Sequence, residues 1–194
     1  MGGTFDPIHI GHLIAASEAL HEFGLNRVHF MPAGHPWQKN EYAAPEDRYM
    51  MASMGVAHHA RFAVSRIEID RQGPTYTADT MRALVDFYGE GTHLFLIAGV
   101  DAVAQLATWE RLDELARLME VIAVTRPGYD SEVTPPSDGP AVHVIDMPGI
   151  AVSATQVRER VRQGKPIDFL VPDSVARYIR EQGLYSGTTE DQDA

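Results

Sequence analysis

Apolar positions along this chain switch between two periods. Short runs rich in branched and aromatic residues cover 27–33, 62–69, 93–98, 120–125 and 142–147, and these predict strands. Between them apolar residues recur every three or four positions over 11–23, 45–58, 77–88, 102–119, 153–163 and 172–182, which predicts helices. The segment 102–119 reads as broken near Thr108, and Gly164 and Gly183 stand where the last two helices should stop. Strands alternating with helices predict an α/β fold: a Rossmann-like, doubly wound parallel sheet with helices on both faces and a small C-terminal helical segment. Ligands of such a sheet bind beyond the carboxyl ends of its strands, near the switch in strand order.

A length of 194 residues suits one domain, expected over 1–185, with a polar, acidic tail over 186–194 expected to be disordered. No apolar run reaches membrane-spanning length and no secretory pattern opens the chain, so the expectation is a cytoplasmic protein without a membrane partner. Cysteine is absent, which excludes disulfides, thiolate catalysis and cysteine-bound zinc. Acidic residues outnumber basic ones 27 to 16, for a net charge of -11, and this argues against binding nucleic acid backbones. The same balance would repel a polyphosphate, so any such ligand needs local donors or a magnesium ion.

One set of candidate donors stands at the start of the chain. Gly2-Gly3-Thr4-Phe5-Asp6-Pro7-Ile8-His9-Ile10-Gly11-His12 runs straight into the first predicted helix. The glycines let backbone approach a ligand, and Pro7 stiffens the turn. His9 and His12, three residues apart at a helix start, can face one ligand beside amides that favour phosphate. This string resembles the nucleotidylyltransferase superfamily, and within it most resembles the bacterial nicotinate-mononucleotide adenylyltransferases. The His-Ile-Gly-His part also occurs in class I aminoacyl-tRNA synthetases, whereas a phosphopantetheine adenylyltransferase would carry Thr in place of His9.

A second segment, 150–158, resembles the family's other signature: Ser153 reads as a helix N-cap, followed by Thr155 and Arg158. Helix-end amides, a hydroxyl and a guanidinium fork can together grip a triphosphate tail. Three more segments resemble the nicotinate family in particular. Lys39, one of only two lysines, follows the first long strand; Thr77 and Ala78 open a helix, with Thr77 read as its N-cap; Trp109 and Glu110 stand near a second helix start. Two helix N-termini aimed at one carboxylate would favour an acid over its amide. Asp101, after Gly99 at a strand end, either accepts a ribose hydroxyl or caps the next helix.

The resemblance runs from Gly2 to about Leu184 and is weakest over 129–140. It implies adenylyl transfer from ATP to nicotinate mononucleotide. His9, His12, Lys39 and Arg158 would stabilise charge. Gly3, Thr4, Phe5, Gly99, Asp101, Arg126, Ser153 and Thr155 would join both histidines and Arg158 in holding ATP. Lys39, Thr77, Ala78, Trp109 and Glu110 would hold the other substrate, with Trp109 stacked on the pyridine ring. Mg2+ would ride on the triphosphate without protein ligands. Transfer to nicotinamide mononucleotide, cytidylyl transfer, a silent nucleotide-binding regulator and assembly into a homo-oligomer all stay open. Relatives also place an apolar strand before the Gly-Gly turn, of which only Met1 stands here; the expectation is a natural chain that starts several residues upstream, or one trimmed at this end, with core surface uncovered where that strand is missing.

Overall fold

A computed structural model describes residues 1–34, 43–73, 75–125 and 135–187. Its elements run β1 (Gly2–Gly3), α1 (Ile10–Glu22), β2 (Val28–Pro32), α2 (Pro45–Val56), β3 (Phe62–Val64), α3 (Thr77–Tyr88), β4 (Phe95–Gly99), α4 (Val100–Val103), α5 (Leu112–Leu118), β5 (Glu120–Thr125), β6 (Val142–Asp146), α6 (Ala154–Arg162) and α7 (Asp173–Glu181). One 3-10 turn, Leu106–Thr108, joins α4 to the Trp109 segment.

Every strand pairing among the described residues is parallel, in two three-stranded sheets of order β3-β2-β1 and β4-β5-β6. Placed edge to edge, these give the doubly wound order 3-2-1-4-5-6, with the switch between β1 and β4. Among the described residues the ladder is divided there: β1 spans two residues and pairs with β2, and β4 pairs with β5. Beside β1, a cavity of about 670 Å³ lies between β2 and β4, lined by Phe23, Leu25, Met31, Met81, Leu84 and Ile97 among others. Beside this gap, the Met1 nitrogen donates to the His29 carbonyl at 2.8 Å.

Strand alternation divides the core. Phe30, Ile122 and Val124 pack with Ala16 and Ala19 of α1, Met51 of α2, Val157 of α6 and Ile179 of α7. Their neighbours Met31, Val121 and Ala123 point the other way, toward Met81 of α3, Val103 of α4 and Leu115 of α5. Helices thus cover both faces, and each face excludes water from its own apolar cluster.

Two predicted spans change. The strand expected over 62–69 ends at Val64, and the segment after it carries charged residues out toward Glu46: Arg66 pairs with Glu46 and Asp70 at 2.7 and 2.9 Å. The helix expected over 102–119 is three short pieces, and its sharpest break is at Arg111 (φ 58, ψ 48). A left-handed residue cannot continue a right-handed helix.

Candidate active site

The opening turn follows the carboxyl end of β1 and folds onto itself. Phe5 takes a left-handed conformation (φ 49), the Asp6–Pro7 peptide is cis, and Phe5, Asp6, Ile8 and His9 are all buried. His9 is the N-cap of α1, and its backbone N–H donates to His12 Nδ1 at 3.2 Å. An Nδ1 that accepts a hydrogen bond puts the imidazole proton of His12 on Nε2. The ring is braced on two sides: His9 stacks on it at 3.7 Å and Phe5 meets it edge-on at 5.1 Å. The phenyl group of Phe5 is therefore core and support for His12, and His9, 2% exposed, stands behind its partner.

Gly11 lets the second motif come close. A Cβ there would stand 3.1 Å from both His9 Nδ1 and Val152 Cγ1. Ser153 caps α6 as its sequence predicts: its Oγ accepts from Gln156 N at 3.2 Å, while Gln156 Oε1 accepts from Ser153 N at 3.1 Å. The amides of Ala154 and Thr155 then stand in the first turn without intrahelical acceptors. Arg158, one turn on, reaches 152 positions back in sequence. Its Nη1 donates to the Asp6 carbonyl at 2.7 Å, and its Nη2 to Thr155 Oγ1 at 3.4 Å. The two motifs thus meet around a small cleft of about 60 Å³ lined by Gly11, His12, Gly99, Val124, Ile150 and Val152, at the carboxyl ends of β4 and β5.

Three side chains that the sequence left unremarked hold this arrangement. Asp6, fully buried, accepts from Ala43 N at 3.1 Å and from the Tyr185 hydroxyl at 2.6 Å. Burial and the Asp6 carboxylate push the Tyr185 phenol well above its ordinary pKa, so it stays a donor. Arg48, 1% exposed, donates to Thr4 O at 2.9 Å, Ala43 O at 3.1 Å and Gly34 O at 3.2 Å. Gly34 has no room for a side chain, since a Cβ would stand 2.2 Å from Glu68 O. Apart from Arg48 to Ala43, five residues back, these are contacts across the fold that no local pattern signals.

The remaining predicted residues divide. Thr77 is the first residue of α3 and its N-cap is Tyr76, extended at φ -101 and ψ 137; Thr77 is thus already helical and cannot cap. The Thr77 and Ala78 amides still open the helix. Trp109 is half-buried and packs into the cluster that holds Ala78, while Glu110 is exposed. No α-helix begins at Thr108–Glu110: Trp109 follows the 3-10 turn, and α5 starts at Leu112 with Arg111 as its cap. Asp101 is exposed in the first turn of α4, whose N-cap is Gly99, so capping that helix is not its task. Gly3 lies in β1, and the Thr4 carbonyl serves Arg48. Lys39 and Arg126 lie outside the described residues. Among the described residues, no group of three or more His, Asp or Glu is placed to hold a metal ion, and no helix is long and apolar enough to cross a membrane.

The cytidylyltransferase-like family model matches residues 1–160. A Saccharopolyspora erythraea protein named Probable nicotinate-nucleotide adenylyltransferase is 51% identical to this chain over 189 residues, which is 96% of this chain and 88% of that protein. A Streptomyces coelicolor protein of the same name is 48% identical over 190 residues, 96% of this chain and 100% of its own. Among solved structures, the Plasmodium falciparum nicotinic acid mononucleotide adenylyltransferase complexed with NaAD has a TM-score of 0.80 across 95% of this chain and 94% of its own. At 16% identity that likeness establishes the shared fold. From the matched model and from identity near one half across almost the whole chain, this protein belongs to the nicotinate-nucleotide adenylyltransferase family, within the cytidylyltransferase-like group.

Proposed function

We propose that this protein transfers the adenylyl group of ATP to nicotinate mononucleotide, giving nicotinate adenine dinucleotide and pyrophosphate, as a cytoplasmic step of NAD biosynthesis. The observation that supports this most directly is the union of the two phosphate motifs, sealed by Arg158 on the Asp6 carbonyl at 2.7 Å. The acceptor's 5′-phosphate is already ionised, so no side chain need deprotonate a nucleophile. Its oxygen attacks the α-phosphorus in line, the bond to the β-phosphate oxygen breaks, and pyrophosphate leaves with that electron pair. The protein's task is alignment and charge stabilisation.

In this reading His12 Nε2–H donates to the α-phosphate, and His9 acts chiefly by holding the His12 ring. Ser153, Thr155 and the first amides of α6 receive the β- and γ-phosphates. Arg158 divides its five donors between the fold and that tail. Lys39 and Arg126 add charge, and Gly3, Thr4, Gly99 and Asp101 line the nucleotide. Mg2+ arrives with the triphosphate and offsets part of its charge. The α3 amides of Thr77 and Ala78 receive the nicotinate carboxylate, with Trp109 on the pyridine face and Glu110 at the rim. One helix N-terminus, that of α3, now carries the acid preference.

The test is magnesium-dependent pyrophosphate release, with nicotinate and nicotinamide mononucleotides in parallel and CTP against ATP. Strong preference for the acid and for ATP is expected. Equal rates with acid and amide would remove the α3 account, and preference for CTP would move the chain to cytidylyl transfer. ATP binding without pyrophosphate release would leave a silent regulator. Trp109→Ala should raise the KM for nicotinate mononucleotide by about tenfold, on the scale of one lost aromatic stack. The KM for ATP should stay near wild type. Equal loss for both substrates would show a folding defect in place of a lost stack.

A further inference from the structure

Four charged side chains join the first two turns of α3 to the start of α5. Arg111 Nη2 donates to Asp79 Oδ1 at 2.5 Å, and Arg111 Nε lies 3.8 Å from Glu114 Oε2. Arg82 lies 3.7 Å from Asp79 Oδ1 and also pairs with Glu114. The Arg111 guanidinium also lies over the Tyr76 ring, 5.7 Å from its centroid, and Tyr76 is the N-cap of α3. One side chain therefore touches the cap and the third residue of the helix whose first two amides are at issue.

Its backbone is equally unusual. Arg111 is left-handed at φ 58, two residues after Trp109, and no glycine stands there to make that conformation easy. A bulky residue stays in that region only where its surroundings over-determine it. The Asp79 hydrogen bond is one contact that engages this residue, and Trp109, two positions earlier, packs against the cluster that holds Ala78 of α3. The pair is also electrostatically settled. The Arg111 hydrogen bond holds the Asp79 carboxyl below its ordinary range, so both partners stay charged at neutral pH.

We infer that Asp79 and Arg111 form a positioning pair for the pyridine end of the site, which sets the separation between the Trp109 face and the Thr77–Ala78 amides. This deepens the proposed function and rests on its assignment of the nicotinate carboxylate to α3. Neither residue touches the reacting phosphates; they act through Trp109 and the helix end. Small displacements in such a clamp affect the group being clamped far more than the rest of the ligand.

The test uses the full-length enzyme with Asp79→Asn and Arg111→Gly, made separately. Asparagine keeps the shape and removes the charge. Glycine accepts φ 58 without strain and removes the guanidinium, so the turn need not unfold. Both variants should raise the KM for nicotinate mononucleotide on the order of tenfold and lower the preference for acid over amide. The KM for ATP, kcat and the melting temperature should stay close to wild type. Unchanged nicotinate parameters in folded variants would overturn the inference. So would equal rises in both KM values together with a lower melting temperature, which mark a merely structural pair. If wild type itself does not distinguish acid from amide, the α3 assignment has failed before any variant is compared, and the inference falls with it.

Discussion

His12→Ala should lower kcat by a factor on the order of 10²–10³, the scale of losing one fixed donor to charge that develops in the transition state. The geometry explains why the loss should fall on kcat. His12 is held at one tautomer by the His9 N–H, at 3.2 Å on Nδ1, and in one plane by the stacked His9 ring and the edge of Phe5. A donor fixed before substrate arrives pays no reorganisation cost during the reaction, which is where such groups act. The same substitution removes an acceptor from the first turn of α1, so about 1 kcal/mol of stability should go with it. For a chain of this size that is a fall of about 2–4 °C in Tm. Single-turnover rates at saturating ATP, beside a melting curve, separate the two effects. Turnover near wild type would remove His12 from the reaction.

Much of this site is legible in sequence because it is built from local signals. α3 and β5 take the spans their apolar periods predict, and the Ser153–Gln156 capping box forms where a Ser precedes a Gln by three. The opening turn is equally local, since its glycines, proline and two histidines act within one turn of helix. What sequence concealed lies across the fold. Tyr185 and Asp6 are 179 positions apart, and Arg158 and Asp6 152 apart, and nothing near either end announces the pairing. Arg111 hid for another reason: propensity reads a helix through it, and the left-handed break shows only in the fold, where its side chain reaches Asp79 of α3. Thr77 was displaced by one position as cap because a hydroxyl beside a helix start outranks a tyrosine in propensity, while the backbone here turns at Tyr76.

Arg48 is the clearest case of a residue whose weight is invisible until the fold is known, and Arg48→Ala should be strongly destabilising. Its guanidinium joins three carbonyls from separate segments: Thr4 in the opening turn, Gly34 after β2, and Ala43 before α2. Gly34 and Ala43 are thus held by the same side chain as Thr4 of the opening turn that leads to His12. Alanine would remove the charged donor from all three acceptors and leave the volume of the side chain unfilled. A loss of about 3–5 kcal/mol is expected, the usual range for breaking a buried charged network. Against a total stability of about 5–15 kcal/mol for a domain, that is a large fraction. At about 2–4 °C per kcal/mol for this chain length, Tm should fall by roughly 6–20 °C. Arg48→Met fills most of the volume without donating, so it separates packing from hydrogen bonding. If Met restores most of the stability lost in Ala, the cavity dominates; if Met is as unstable as Ala, the three carbonyls dominate, and the fork geometry that only arginine supplies is what fixes the turn.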